Sequence, residues 1–246
     1  IRALVYGTTG KVVRKAALDD ALGILQGKAQ FDAPQYDVHL RVGWHGDNSI
    51  ILDLANDAWE AVEITPNGWS VVANAPIKFR RPDSSRSLPN PTNGSNLDEL
   101  LKDVFNVEDS DIPLVRSVLI NSIYPNGPYP ILAVHGEAGS AKTTVCRLIK
   151  DLVDPTKAPV RSLPRSEEDL IVAASNSWLC VFDNASSISV SMSDNLCRLS
   201  TGGGIAVRRL YTNDEDFVFD VMRPVLINGI TPLAERGDLL DRTIPI

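Results

Sequence analysis

The stretch Leu132–Ile149, LAVHGEAGSAKTTVCRLI, decides the fold. It passes from apolar residues through a turn of small residues into a segment of helical spacing: strand, tight turn, helix. The run that contains its start, YPILAVHG, is nearly continuously apolar and ends in glycine, as expected of a strand buried on both faces. Between strand and helix, Gly136-Glu137-Ala138-Gly139-Ser140-Ala141-Lys142-Thr143-Thr144 follows the spacing G-x-x-x-x-G-K-[ST] at every fixed position except one, where Ala141 replaces the second glycine. That pattern serves phosphate chemistry. Backbone N–H groups converge on phosphate oxygens at a helix N-terminus, the lysine reaches the β/γ oxygens and the hydroxyl meets Mg²⁺. Ala141 is expected to be tolerated on the premise that its backbone is helical, where a Cβ costs little. The plainer alternative is a glycine-rich strand-to-helix turn with an incidental Lys-Thr.

A nucleotide site needs a carboxylate from a neighbouring strand to share the metal, and SWLCVFDN supplies Asp183 at the end of another apolar run. A helix cap or turn residue is the alternative for Asp183. Asn184 follows where a second acid would polarise the attacking water; an amide cannot take up a proton at neutral pH, although it can orient a water. In RPVLINGI, Asn228 ends a third apolar strand and either caps a turn with Gly229 or faces the γ-phosphate. Beyond it, ERGDLLDRTI carries Arg236 and Arg242, which are either surface ion-pair residues or arginines aimed at a phosphate.

These strands alternate with helical segments, so the fold class is α/β, with a three-layer domain and a largely parallel sheet. LDELLKDVF and DIPLVRSVLINSI, ahead of the cradle, read as helices, the second with Pro113 in its first turn. Toward the N-terminus, Val12, Val13, Ala16, Ala17, Leu22 and Leu25 fall at helical spacing, with Gly27 as a stop. From Tyr36 the period becomes two: YDVHLRVGW, SIILDL, WEAVEIT and GWSVVAN read as an antiparallel meander. Trp44, Trp59 and Trp69 alternate like packed sheet residues; together with His39 and His45, which lack a ligand at metal spacing, they are expected in the core. Residues 80–96, rich in Pro, Ser, Asn and Gly, read as a linker. The expected division is a smaller α+β module and linker over 1–95, then the P-loop domain over 96–246.

Composition sets the remaining bounds. The chain has 246 residues, 43% of them hydrophobic, and its first residue, Ile1, suggests a piece of a longer protein. Three dispersed cysteines in apolar contexts suggest no disulfide framework and fit a reducing cytoplasm. No apolar run reaches the about 18 residues of a membrane span, so no membrane association is expected. A net charge of −7 argues against a surface that coats nucleic acid everywhere, while leaving room for a local basic loop.

The order of these motifs, GEAGSAKTT, WLCVFDN, LSTGGGIAVRRLYTND, RPVLINGI and LLDRTI, resembles the AAA+ core of superfamily-3 helicases, and more narrowly the ATPase domains of primase-helicase proteins of phages and integrative elements. The resemblance covers roughly 129–246. It implies ATP and Mg²⁺ as cofactors, with the backbone and side chains of 136–144 around the phosphates, Lys142 and Thr143 at the Walker A positions, and Thr143 and Asp183 on the metal. It implies Asn228 as sensor 1 and Arg242, or as second choice Arg236, as the arginine finger given to a neighbouring copy. It further implies a hairpin over 202–214 whose Arg208, Arg209 and Tyr211 line the channel of a hexameric homo-oligomer and hold single-stranded or forked DNA. Six copies of two arginines would form a basic ring inside an acidic particle; the plainer reading is a solvent-facing strand-turn. Such proteins usually add a C-terminal helical lid, and here the two helices ahead of the cradle are expected to take its place.

The function expected is therefore an ATP-driven DNA translocase or helicase core of a mobile-element or phage replication protein. Asn184 motivates an alternative, a nucleotide-binding assembly switch that hydrolyses weakly. A small-molecule kinase is a weaker third, because no acceptor or lid motif is visible.

Overall fold

The computed structural model describes residues 1–94, 96–208, 216–230 and 237–246, with side chains for all of these except 206–208 and 216–218. The chain forms two compact units, 1–37 and 38–246. The boundary expected near residue 95 falls inside the second.

In the first unit, α1 (Arg2–Thr9) ends at Gly10 in the left-handed conformation, and α2 (Lys15–Gly27) runs into a π-helical turn over Lys28–Asp32. Val12 and Val13, expected on a helix, precede α2, and Val12 is 85% exposed. Two β-branched residues next to the left-handed Gly10 are poor material for extending either helix. Neither helix buries a residue.

The second unit opens with β1 (Val38–His39), which pairs in parallel with β6 (Lys78–Phe79). Between them lies the meander β2 (Val42–His45), β3 (Ser49–Asp53), β4 (Ala61–Thr65) and β5 (Gly68–Val72), antiparallel and in chain order. The expected four-stranded meander forms, but YDVHLRVGW divides into β1 and β2 and serves two sheets. The core placement of the aromatics needs correction. Trp44 is half-buried, edge-on to Tyr124 at 5.1 Å. Trp69 is 44% exposed because it lies on the edge strand β5, and Trp59 is 56% exposed because it sits in the β3–β4 connection, where strand alternation does not apply. The Arg81 guanidinium covers the Trp59 ring at 3.7 Å. His45 is exposed, while His39 packs edge-on to Phe79.

The segment after β6 is not a free linker. Arg86 N–H donates to Pro155 O, Lys157 N–H to Ser84 O, and Leu88 N–H to Leu54 O, so 84–88 is laced to its surroundings. Proline and serine-rich composition signals irregular backbone, which here is bonded rather than loose.

The α/β body contains α3 (Leu97–Val104), α4 (Ile112–Ser122), β7 (Ile131–His135), α5 (Lys142–Val153), β8 (Arg161–Ser162), α6 (Glu167–Ser175), β9 (Cys180–Asp183), α7 (Val190–Thr201), the β10 (Ile205–Arg208) and β11 (Asp216–Phe219) pair, β12 (Val225–Gly229), α8 (Gly237–Leu240) and β13 (Thr243–Pro245). Five strands pair in parallel in the order β13-β7-β12-β9-β8. Alternate strand residues feed two cores. Leu132, Val134, Val181 and Leu226 meet α3, α4 and α5 on one face, while Ile131, Phe182, Val225 and Ile227 meet α6, α7 and α8 on the other. This is the three-layer arrangement, helices over both faces of a parallel sheet, that the continuous apolar runs predict.

Candidate functional site

The sheet order fixes where a ligand can sit. From β7 the chain goes to the far edge at β8 and works back through β9 and β12, then crosses to β13 on the other side of β7. The strand order therefore reverses around β7 and β12, and in open α/β sheets ligands bind outside the C-terminal strand ends at such a point. The register brings those ends level: Gly229 opposes His135, and Ile227 opposes Phe182, one residue before Asp183.

The turn leaving β7 wraps the N-terminus of α5. Gly136 adopts φ +153, a conformation that favours glycine, and a Cβ there would also have to displace the Ser140 hydroxyl, 2.7 Å away. Ala141 corrects the sequence expectation: its φ is 66° and ψ 14°, left-handed rather than helical. The alanine therefore occupies a position that favours glycine, at a conformational cost of about 1–2 kcal/mol. No side chain caps α5, which leaves its first N–H groups to a ligand. Lys142 Nζ lies back on the turn, donating to Gly136 O at 2.7 Å, Glu137 O at 2.6 Å and Ser140 Oγ at 3.3 Å.

Two residues separated by 40 positions in sequence meet beside this turn: Thr143 Oγ1 donates to Asp183 Oδ1 at 2.9 Å. One position on, Asn184 sits at φ 54°, and its N–H donates to Asn228 Oδ1 at 2.8 Å. Asn228 is buried within β12, and its Nδ2 donates to Cys146 Sγ at 3.2 Å. Burial pushes the Cys146 thiol up to about 12, so it stays neutral as a partner for that amide. The Asn228 side chain thus has two partners inside the protein, the Asn184 backbone and the Cys146 thiol. Through them it clasps the exit of β9 to α5.

Arg242 stands at the other end of the sheet. Thr243 pairs with Ile131 at the start of β7, so the length of that strand, roughly 16 Å at ~3.3 Å per residue, separates Arg242 from its own cradle. Its guanidinium donates to Asp238 O at 2.6 Å. β10 falls inside the hairpin expected over 202–214, while its antiparallel partner β11 lies just beyond it, with Arg208 opposite Asp216. The Arg208 side chain, and Arg209, Tyr211 and Arg236 entirely, lie outside the described residues.

Two cavities flank the cradle. One of about 310 Å³ lies between the turn, His135, Ile246 and the α3–α4 corner, where Val107 and Asp111 face Lys142 and Val145. The connection between the two helices ahead of the cradle thus lines this cavity, through residues 106–108 and the N-cap Asp111. The other, about 420 Å³, lies past Asp183, lined by Asn184, Arg165 and serines of the β9–α7 connection. Sequence reasoning missed the α3–α4 corner, although the Asp-Ile-Pro start of α4 marked a fixed bend. It also missed Cys146, which shares the buried face of α5 with Val145 and Ile149.

Chemically, the uncapped helix, the lysine and the Thr–Asp pair form a set suited to phosphate oxygens and a hard cation. Among the described residues, no group of three or more His, Cys, Asp or Glu gathers around one point. A hydroxyl and a single carboxylate suit Mg²⁺, which keeps waters and takes phosphate ligands instead of an all-protein cage. Among the described residues, no helix is long and apolar enough to cross a membrane.

Fold and site together define a mixed α/β protein with a glycine-containing strand-to-helix turn at the switch point of a parallel sheet. Residues 97–246 match the family described as actinomycete integrative conjugative element replication protein, and the match begins at the first residue of α3. The chain belongs to that family, and a role in replication follows from the membership. No curated protein is similar enough to match the chain.

Proposed function

We propose that the chain is the ATP-binding and ATP-hydrolysing core of a DNA translocase or helicase serving replication of an integrative element, an AAA+ domain of the superfamily-3 kind that works in a ring, as a hexamer, on single-stranded or forked DNA. The observation that carries the reading is the Thr143–Asp183 hydrogen bond. It joins the cradle helix to a second strand end where one Mg²⁺-bound triphosphate would need them joined. The α5 N-terminus and the turn 136–141 bind phosphate oxygens, and Lys142 neutralises charge by leaving the Gly136 and Glu137 carbonyls for the ligand. Thr143 and Asp183 would hold Mg²⁺, which when bound supplies charge neutralisation at the phosphates. Asn228 fixes the backbone of Asn184, whose side chain orients water without accepting its proton. Arg242, remote from its own cradle, serves the cradle of a neighbouring copy, and the β10–β11 hairpin with Arg208, Arg209 and Tyr211 grips DNA. Arg236 is the second choice for the neighbour's arginine.

DNA-stimulated ATP turnover tests this. Lys142→Ala and Arg242→Ala are each expected to abolish it, and mixing the two inactive proteins is expected to restore part of it, because mixed interfaces pair an intact lysine with an intact arginine. No restoration at any ratio would refute the shared site. A second reading, a nucleotide switch that sets assembly and hydrolyses weakly, is favoured by Asn184 standing where a carboxylate base is wanted. It predicts tight binding with little turnover on DNA, and faster turnover in Asn184→Glu.

A further inference from the structure

The 310 Å³ cavity beside Lys142 has a polarity that the phosphate cradle does not account for. Lys142, at the α5 N-terminus, lines it together with Glu108 and Asp111 of the α3–α4 corner. That corner is pinned on both sides: Phe105 is 3% exposed and Ile112 is 1% exposed. Lys102 bridges to Asp109 within it at 3.0 Å. The burial of Phe105 and Ile112 anchors both ends of the corner, and a polar group held in place contributes selectivity.

Asp111 is the informative residue. It occupies the N-cap position of α4, where aspartate ordinarily accepts a helix N–H, yet its side chain makes no capping bond. The half-buried carboxylate instead lines the cavity, with Val107, Val145 and Ile246 providing apolar surface. A flat apolar ring with N–H donors on its edge fits such a lining, whereas a triphosphate is repelled from it by two carboxylates and drawn to Lys142. We infer that this cavity receives the base of the nucleotide, and that Asp111 selects a base bearing an exocyclic amino group by accepting a hydrogen bond from it. The inference rests on the nucleotide-binding reading above and adds the residue that sets base preference.

Direct binding measurements on the purified chain with ATP, ITP and inorganic tripolyphosphate separate the two. ITP replaces the amino donor of ATP by a carbonyl acceptor, which would face the Asp111 carboxylate. The unaltered protein is expected to bind ATP about tenfold or more tightly than ITP, the scale of one charge-assisted hydrogen bond. Asp111→Ala is expected to bring the two within about threefold while tripolyphosphate binds as before, which also reports that the cradle remains folded. Equal binding of ATP and ITP by the unaltered protein, or a preference that survives in Asp111→Ala, overturns the assignment of Asp111. If tripolyphosphate binds and ATP binds no better, the base site alone falls. If neither binds, the nucleotide reading falls and this inference with it.

Discussion

Replacing Asp154 by alanine should unfold much of this protein, for a reason measurable in the structure. Asp154 Oδ2 accepts from Lys150 Nζ at 2.6 Å and from the N–H groups of Trp178 and Leu179 at 2.8 and 3.1 Å, while Oδ1 accepts from Arg41 Nε at 3.0 Å. Arg41, Lys150 and Asp154 are each no more than 3% exposed. Removing the carboxylate strands two buried cations and two backbone donors, and breaking even one buried pair costs about 3–5 kcal/mol. At 2–4 °C per kcal/mol for a chain of this size, a loss of about 4 kcal/mol lowers Tm by roughly 8–16 °C. Replacing the whole cluster with Arg41→Leu, Lys150→Met and Asp154→Leu should recover most of this, leaving about 1–2 kcal/mol for the unpaired backbone groups. Acid has a related effect. Burial alone would raise the Asp154 carboxyl, but Lys150 and Arg41 outweigh it and hold it below the usual carboxylate range. Burial draws Lys150 down in turn, against the pull of Asp154. Because the folded pKa of Asp154 lies below the unfolded one, its contribution is complete above about pH 4 and fades as pH falls toward the folded value. Thermal melts of the three proteins between pH 3 and 7 provide the check. An Asp154→Ala protein within about 1 kcal/mol of the parent at pH 7 would refute the reasoning.

Ala141→Gly should relieve about 1–2 kcal/mol of left-handed strain against about 0.4–1 kcal/mol of added unfolded-state entropy, for a net gain between about 0 and 1.6 kcal/mol. A melt showing clear destabilisation would mean that Ala141 is not left-handed. Asn228→Ala removes the acceptor for Asn184 N–H and should cost about 1–3 kcal/mol in denaturant unfolding, the usual effect of a lost buried amide. Thr143→Val keeps the shape but not the hydroxyl facing Asp183; under the proposed function it should abolish the Mg²⁺-dependent increment in ATP affinity while leaving metal-free binding intact.

The sheet was legible because parallel strands covered on both faces must be apolar along most of their length, and ILAV, CVF and VLI are, with His135, Asp183 and Asn228 falling at or near the C-terminal ends. The strand-to-helix turn was legible because Gly136, Gly139 and small residues separate an apolar run from a segment of helical spacing. The conformation of Ala141 was not, since one letter carries no φ, and the helical neighbour at 142 suggested the wrong region. The loss of core status for Trp59 and Trp69 was equally hidden: alternation shows which residues share a face, but whether anything covers that face is a tertiary fact. Lys150 lay closer to reach. It continues the buried positions Val145, Cys146 and Ile149 of α5, and a cation on an apolar face implies a buried partner, here Asp154 one turn later.

The amide of Asn228 carries a further consequence. Its oxygen is taken by the Asn184 backbone and its nitrogen bonds Cys146, so β12, the exit of β9 and the first turns of α5 are joined through one side chain. Thr143 and Asp183 join α5 to β9 a second time, only one residue away along the β9 exit. One direct bond and one path through Asn228 of β12 thus hold α5 and the end of β9 at a fixed spacing, which is the preorganisation the proposed site would require for a charged ligand. They also hold Asn184 in a left-handed conformation that an asparagine adopts more readily than a glutamate. An acid at position 184 would therefore need either the strained backbone or a rearranged clasp, so Asn184→Glu is a change in geometry as well as in charge, and its effect on turnover has to be read beside that of Asn228→Ala.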